Sequence, residues 1–131
     1  MNYEPIAAEL DRIGREIVDS AYRVHKELGS GLLEAVYEEC MIYDLRRKGL
    51  IVEEQVFLPI EFDGKVLARN KLRIDLLVEG EVIVENKAVA EMNPLFQSQL
   101  LTYLKISKKR LGYLINYNVP LIKNGIQRMV I

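Results

Sequence analysis

The hydrophobic period of this chain changes near Ile51, and that change limits the available folds more than any other feature. Before it, Ile6, Leu10, Ile13, Ile17, Ala21, Val24 and Leu28 recur at steps of three or four, the spacing of an amphipathic helix. Pro5 stands where a first helical turn accepts it, and Gly29-Ser30-Gly31 ends the run. LLEAVYEECMIYDLRRK predicts a second helix, closed by Lys48 and Gly49. From Ile51 onward IVEEQVFLPIEF alternates and is rich in β-formers, and Asp63-Gly64 is a hairpin turn signal before KVLA. Leu72–Val78 and Val82–Ala88 predict another pair of strands around Glu79-Gly80-Glu81. Asn93-Pro94 opens a helix, LFQSQLLTYLKIS; RLGYLINY reads as a short buried strand, VPLIKNG as a loop and IQRMVI as a last strand. Helices, a run of strands, then helix and strand describe one α/β or α+β domain.

With 131 residues, half of them hydrophobic, residues 1–131 are expected to form a single domain whose core needs no staples. There are no repeats, low-complexity tracts or linkers. The single cysteine, Cys40, has no internal disulfide partner, which fits a reducing compartment. MNYEPIAAELDRIG lacks the apolar stretch of a signal peptide, and no stretch reaches the roughly 18 charge-free apolar residues of a membrane span. A cytoplasmic protein without a membrane partner is expected. A net charge of −1 argues against a protein that coats duplex by neutralising phosphates. A carboxylate site carrying a divalent metal, however, looks acidic only when the metal is ignored.

RIDLLVEGEVIVENKAV, residues 73–89, places Asp75, Glu85 and Lys87 in segments that otherwise look like sheet core. A three-residue turn at 79–81 sets Val78 against Val82 and Leu76 against Val84 on one face. Leu77 then meets Ile83, and Asp75 meets Glu85, on the other. Directly opposed side chains have Cβ atoms about 4.5–5.5 Å apart, and Lys87 lies on the side of Glu85. A two-residue turn would instead separate the two acids. Opposed carboxylates repel unless something positive lies between them. Lys87 serves in part, and a divalent cation serves better, since hard Mg²⁺ prefers oxygen ligands. The competing reading is a solvated outer face with Glu85 and Lys87 as ordinary surface residues; the apolar company of Leu77 and Ile83 counts against it.

Asp75 followed by Glu85-Asn86-Lys87 resembles the D…(D/E)xK pattern of the PD-(D/E)XK nuclease superfamily. GLLEAVY at 31–37 resembles the motif of the GxxExxY protein family, a branch of that superfamily, and VHKELGSG before it is similar to that family's approach to the motif. Gln99-Leu-Leu-Thr-Tyr103 resembles the QxxxY motif of exonuclease-like members, and LGYLINYNVPLIKNGIQRMVI is similar to the family's C-terminal strand and tail. Two positions depart from the pattern. Ile74 replaces the proline, and Asn86 stands where an apolar residue is commoner. In the register above Asn86 points into the apolar face, where an unpaired amide costs about 1–3 kcal/mol.

The resemblance implies a restriction-endonuclease-like α/β fold, a mixed central β-sheet flanked by helices with an αβββαβ core and one extra N-terminal helix. It implies that Asp75 and Glu85 hold Mg²⁺ or Mn²⁺ with the Asn86 backbone carbonyl, and that Glu34 joins directly or through water. Lys87 would orient the attacking water and stabilise developing charge. Gln99 and Tyr103, one helical turn apart, would position a phosphate or brace Lys87. The implied function is a metal-dependent nuclease acting on DNA, with RNA as the second substrate class. The alternative is a non-catalytic nucleic-acid- or protein-binding module, or a homodimer joined through a sheet edge at Met129-Val130-Ile131. Taken alone, Glu34 reads as a first-turn acid favoured by the helix dipole. Tyr37 reads as packing, His25 as structural and Cys40 as core. Lys105, Lys108, Lys109 and Arg110 read either as a solvated helix end or as a phosphate-binding patch beside the site.

Overall fold

In the computed structural model residues 4–131 are described; Met1, Asn2 and Tyr3, where the segment read as lacking a leader begins, lie outside them. Two helices come first, α1 (Ala8–Leu28) and α2 (Glu34–Arg47), then strands β1 (Val52–Phe62), β2 (Lys65–Val78) and β3 (Val82–Lys87). Helix α3 (Pro94–Ser107), strand β4 (Leu111–Asn116), a 3₁₀ turn at Ile122–Asn124 and strand β5 (Ile126–Val130) complete the chain. The strands form one sheet in the order β1-β2-β3-β4-β5. Neighbours are antiparallel except β3 and β4, which run parallel because α3 crosses over between them. This is the mixed sheet flanked by helices that the restriction-endonuclease-like expectation requires.

The sheet separates two cores. Leu76, Val78, Val82, Val84, Tyr113 and Ile115 pack against Ile13, Ile17 and Val24 of α1 and Tyr37, Met41 and Leu45 of α2. Ile74, Ile83 and Leu114 pack against Leu100 and Leu104 of α3. Helices approach β4 closely from both faces. A Cβ at Gly14 of α1 would collide with the Tyr113 hydroxyl, and one at Gly112 would come 2.9 Å from Leu100 Cδ1. A buried carboxylate, Asp44, ties α2 to α1 through Arg23 at 3.3 Å, with Arg47 at 2.8 Å and Lys48 at 3.6 Å on its own helix.

The β2–β3 register is the one the three-residue turn predicts: Val78 pairs with Val82, Leu77 with Ile83 and Leu76 with Val84. Asn93 caps α3, its side chain accepting from the Leu95 amide at 2.9 Å, with Pro94 in the first turn. Asp63 (φ 54°) and Gly64 (φ 72°) are both left-handed, as a two-residue hairpin turn of right-handed twist requires. Two expectations change. Helix α1 begins at Ala8 rather than around Pro5 and Ile6, residues 4–7 being non-helical. KVLA and Leu72–Val78 are one strand, because the register shift between Pro59 and Ile60 absorbs Ala68, Arg69 and Asn70 as a bulge.

Alternation slips at one level of the sheet. In β1, Val52 belongs to the α1–α2 core but Val56 and Leu58 to the α3 core; in β2, Leu76 belongs to the first and Ile74 to the second. Strict alternation would keep each pair on one face. The slip falls at Gln55, which has φ 53°, and at Asp75 across from it, a pair missing between Glu54–Leu76 and Val56–Ile74. Asp75 therefore sits where the sheet exchanges its faces.

Candidate active site

Backbone pairing of β2 with β3 stops at Leu76 and Val84, one residue short of the two acids. Side chains take over from there. The Asp75 amide donates to Glu85 Oε1 at 3.1 Å, and the Asn86 amide donates to Asp75 Oδ2 at 3.2 Å. Each carboxylate thus accepts from the opposite strand in place of a carbonyl, leaving its other oxygen for further contacts. Asp75 and Glu85 are only 7% and 6% exposed. Burial pushes the Glu85 carboxyl far above the ordinary range, and the neighbouring Asp75 charge adds to it.

Lys87 does not neutralise this pair by contact. Its ammonium lies 4.4 Å from the centroid of the Phe96 ring in the first turn of α3, a cation–π placement, and among the described residues no ion pair joins it to Asp75 or Glu85. Its carbonyl accepts from the Tyr117 amide at 2.9 Å, which fixes the backbone beneath the side chain. Asn86 lies opposite Ile115 of β4 and is fully buried. Neither its Nδ2 nor its Oδ1 has a hydrogen-bond partner among the described residues, so the cost foreseen for an amide in that face is not relieved.

Glu34 is the first residue of α2. Burial raises its carboxyl, the Asp75 charge raises it further, and Lys87 and Arg73 oppose the shift. Tyr37 explains how the helix start is held. Its hydroxyl donates to the Gly29 carbonyl at 2.7 Å and accepts from the Leu32 amide at 3.1 Å, while its buried ring stacks on Tyr117 with centroids 4.5 Å apart. The tyrosine laces down the glycine turn that delivers Glu34, with Gly31 at φ 98°. It packs, as read, and also positions.

Glu38, one turn after Glu34 and on the same helix face, escaped the sequence reading. It accepts from Gln55 Nε2 at 3.3 and 3.4 Å, and its carboxyl is pushed up to about 7, by burial first and then by Asp75 and Glu34. The four-residue spacing was the available signal. On the opposite layer Tyr103 is half-buried; burial raises its hydroxyl, and Glu85 and Asp75 raise it further. Gln99 lies one turn earlier, half-buried, with no side-chain hydrogen bond to the acids among the described residues.

His25 is structural, its Nε2 2.8 Å from the Val119 carbonyl. Cys40 is half-buried against the α1–α2 core. The basic run is not beside the acids. Lys105 is in the last turn of α3, and Arg110 donates to the Ile131 carbonyl at 3.0 Å, where Leu111 begins β4 opposite Val82. Lys87 is five residues further along β3, about 16 Å at 3.3 Å per residue.

Among the described residues no group of three or more His, Cys, Asp or Glu is arranged to hold a metal ion. Two convergent carboxylates still suit a hard cation, since Mg²⁺ is commonly held by one or two carboxylates while keeping several waters. The buried, mutually repelling pair is also chemistry that a cation relieves.

No curated protein and no solved structure matches the chain. No helix is long and apolar enough to cross a membrane, among the described residues. Residues 11–129 match the model of the PD-(D/E)XK nuclease superfamily, a span that runs from the first turn of α1 into β5 and takes in the acids of the parted strands. The chain belongs to the PD-(D/E)XK nuclease superfamily.

Proposed function

We propose that this is a Mg²⁺- or Mn²⁺-dependent nuclease of the GxxExxY branch, hydrolysing phosphodiester bonds of DNA or, as second class, RNA, within a single cytoplasmic domain. The observation that carries the reading is the pair Asp75 and Glu85, buried side by side where β2 and β3 part, each held by an amide of the other strand or its neighbour. Asp75, Glu85 and the Asn86 carbonyl would hold the ion, with Glu34 reaching it through water. The metal, when bound, would offset phosphate charge and acidify water.

The chain's own residues supply the rest. Hydrogen bonds to the Asp75 and Asn86 amides hold the carboxylates before substrate arrives, so little reorganisation remains at reaction. Phe96 holds the Lys87 ammonium near the acids without pairing it to them, leaving its donors for a phosphoryl oxygen or the attacking water. Tyr103, in the field of both acids, would steady the phosphate, with Gln99 beside it. Cleavage of single- and double-stranded substrates with Mg²⁺ or Mn²⁺ tests the reading. Asp75→Ala and Lys87→Ala are expected to lower the rate at least a hundredfold, and unchanged activity in both overturns it.

A second reading, a non-catalytic binding module, draws support from the near-neutral charge of the chain, −1. Calorimetric titration with Mn²⁺ separates the two. Micromolar binding lost in Glu85→Ala favours the enzyme, and no binding favours the module.

A further inference from the structure

Beyond Val56 and Ile74 the β1–β2 hairpin runs out from the sheet, and nearly every residue from Phe57 to Arg73 is half-exposed or exposed. One face at its base is covered, since Val56 and Leu58 pack with Ile74 in the α3 core. The pleat sends Phe57 and Pro59 of β1, and Lys71 and Arg73 of β2, to the other face. There Phe57 lies directly across from Arg73 and Pro59 across from Lys71. Among the described residues nothing covers this face, and Phe57 is 60% exposed. Lys71 and Arg73 make this face basic, and Arg69 follows in the bulge; Glu61, which the pleat places on the same side, lies toward the tip, in a chain whose net charge is −1.

We propose that this face of the hairpin is a track for single-stranded nucleic acid leading to the carboxylate pair, with Lys71 and Arg73 meeting successive phosphates and Phe57 stacking on a base. Its destination rests on the nuclease reading; its binding does not. Lys71, Arg73 and Asp75 follow at two-residue steps of about 7 Å, a spacing that matches successive phosphates of an extended strand. The track ends at the site, since Arg73, opposite Phe57, stands two residues before Asp75 on the same strand. An exposed phenylalanine among cations is the pairing used to bind unstacked bases and their backbone. A duplex keeps its bases stacked and offers Phe57 no ring face. A second copy of this chain packed on the same face would set Lys71 and Arg73 of one copy against those of the other.

The test is fluorescence anisotropy of the full chain with a labelled oligothymidylate in chelator, so that neither metal binding nor cleavage contributes. Phe57→Ala is expected to weaken binding about tenfold and Phe57→Trp to restore it. The Lys71→Ala, Arg73→Ala double variant is expected to lower the slope of log affinity against log salt by about 1.4, at 0.7 per single-strand phosphate. Lys108→Ala with Lys109→Ala, at the far end of the sheet, is expected to change neither. A duplex control is expected to bind at least tenfold more weakly. Hairpin variants that bind like the wild type, equal affinity for duplex, or hairpin changes that alter only the sedimentation mass would each overturn the track, the last by showing a second copy on this face. Asp75→Ala separates the two proposals, because it is expected to abolish cleavage while leaving metal-free binding intact.

Discussion

The Asp75 amide donates to the Glu85 carboxylate at 3.1 Å, so the two acids of the site are joined by backbone as well as by proximity. Glu85 terminates the β2–β3 ladder and is also the principal candidate metal ligand, and both roles need the same carboxylate. Substituting it separates them. Glu85→Gln keeps an acceptor for the Asp75 amide and removes the charge. Metal-free, this variant is expected to melt at or above the wild-type temperature at pH 8, while Mn²⁺ no longer raises its melting point. The wild type, at a hundredfold excess of Mn²⁺ over Kd, is expected to gain about 2.7 kcal/mol. Thermal melts with Mn²⁺ and with chelator check both statements.

Glu38 predicts a pH dependence of stability. Its folded-state pKa of about 7 lies above the ordinary carboxylate value, so the folded chain binds more protons than the unfolded one between the two. The associated stability is fully present at pH 4 and lost as pH rises through about 7. Glu38→Gln is expected to match the wild type at pH 4 and exceed it at pH 8 by about 1 kcal/mol, a figure reduced for solvent screening of a half-exposed carboxyl. Urea denaturation in chelator at the two pH values measures the difference.

Tyr37→Phe keeps the stacked ring and removes the hydroxyl that ties Gly29 to Leu32. Loss of these two hydrogen bonds is expected to cost about 1–2 kcal/mol. If Glu34 contributes to catalysis, the rate falls further than the lost stability explains, because the turn that positions it is released. Denaturant midpoints and initial rates, measured together, separate folding from positioning.

Asn86→Leu exchanges a fully buried amide, without hydrogen-bond partners among the described residues, for an apolar side chain of similar size. It is expected to raise stability by about 1–2 kcal/mol, since the desolvated amide is removed and nothing it bonded to is orphaned. Metal affinity is expected to persist, because only the backbone carbonyl of this residue is proposed as a ligand. A calorimetric melt and a Mn²⁺ titration of the one variant test both.

Much of this architecture is legible in the residues themselves. The period change near Ile51, the Asp63-Gly64 turn, the Asn93-Pro94 cap and the three-residue turn at 79–81 are local signals, and each element they mark is present. The register that sets Asp75 against Glu85 follows from turn length alone. The exchange of sheet faces at Gln55 and Asp75 was not legible, because a positive φ at glutamine leaves no mark in composition. The ends of the crossover explain the misplaced basic run. Lys105 to Arg110 follow the QxxxY helix in sequence, but α3 runs back along the sheet and carries them to the end away from Lys87. Lys87 itself was read as a counter-charge between the acids; its seat on Phe96 depends on where α3 begins in space.

The parted strands also make the site observable from the backbone. The amides of Asp75 and Asn86 are guarded by carboxylate oxygens rather than by ladder carbonyls, so their exchange with deuterated solvent depends on what those oxygens are doing. Anything that draws an oxygen away loosens its amide, and anything that clamps both acids slows the pair together. Two backbone protons thereby become a built-in gauge of occupancy, readable without substrate or turnover.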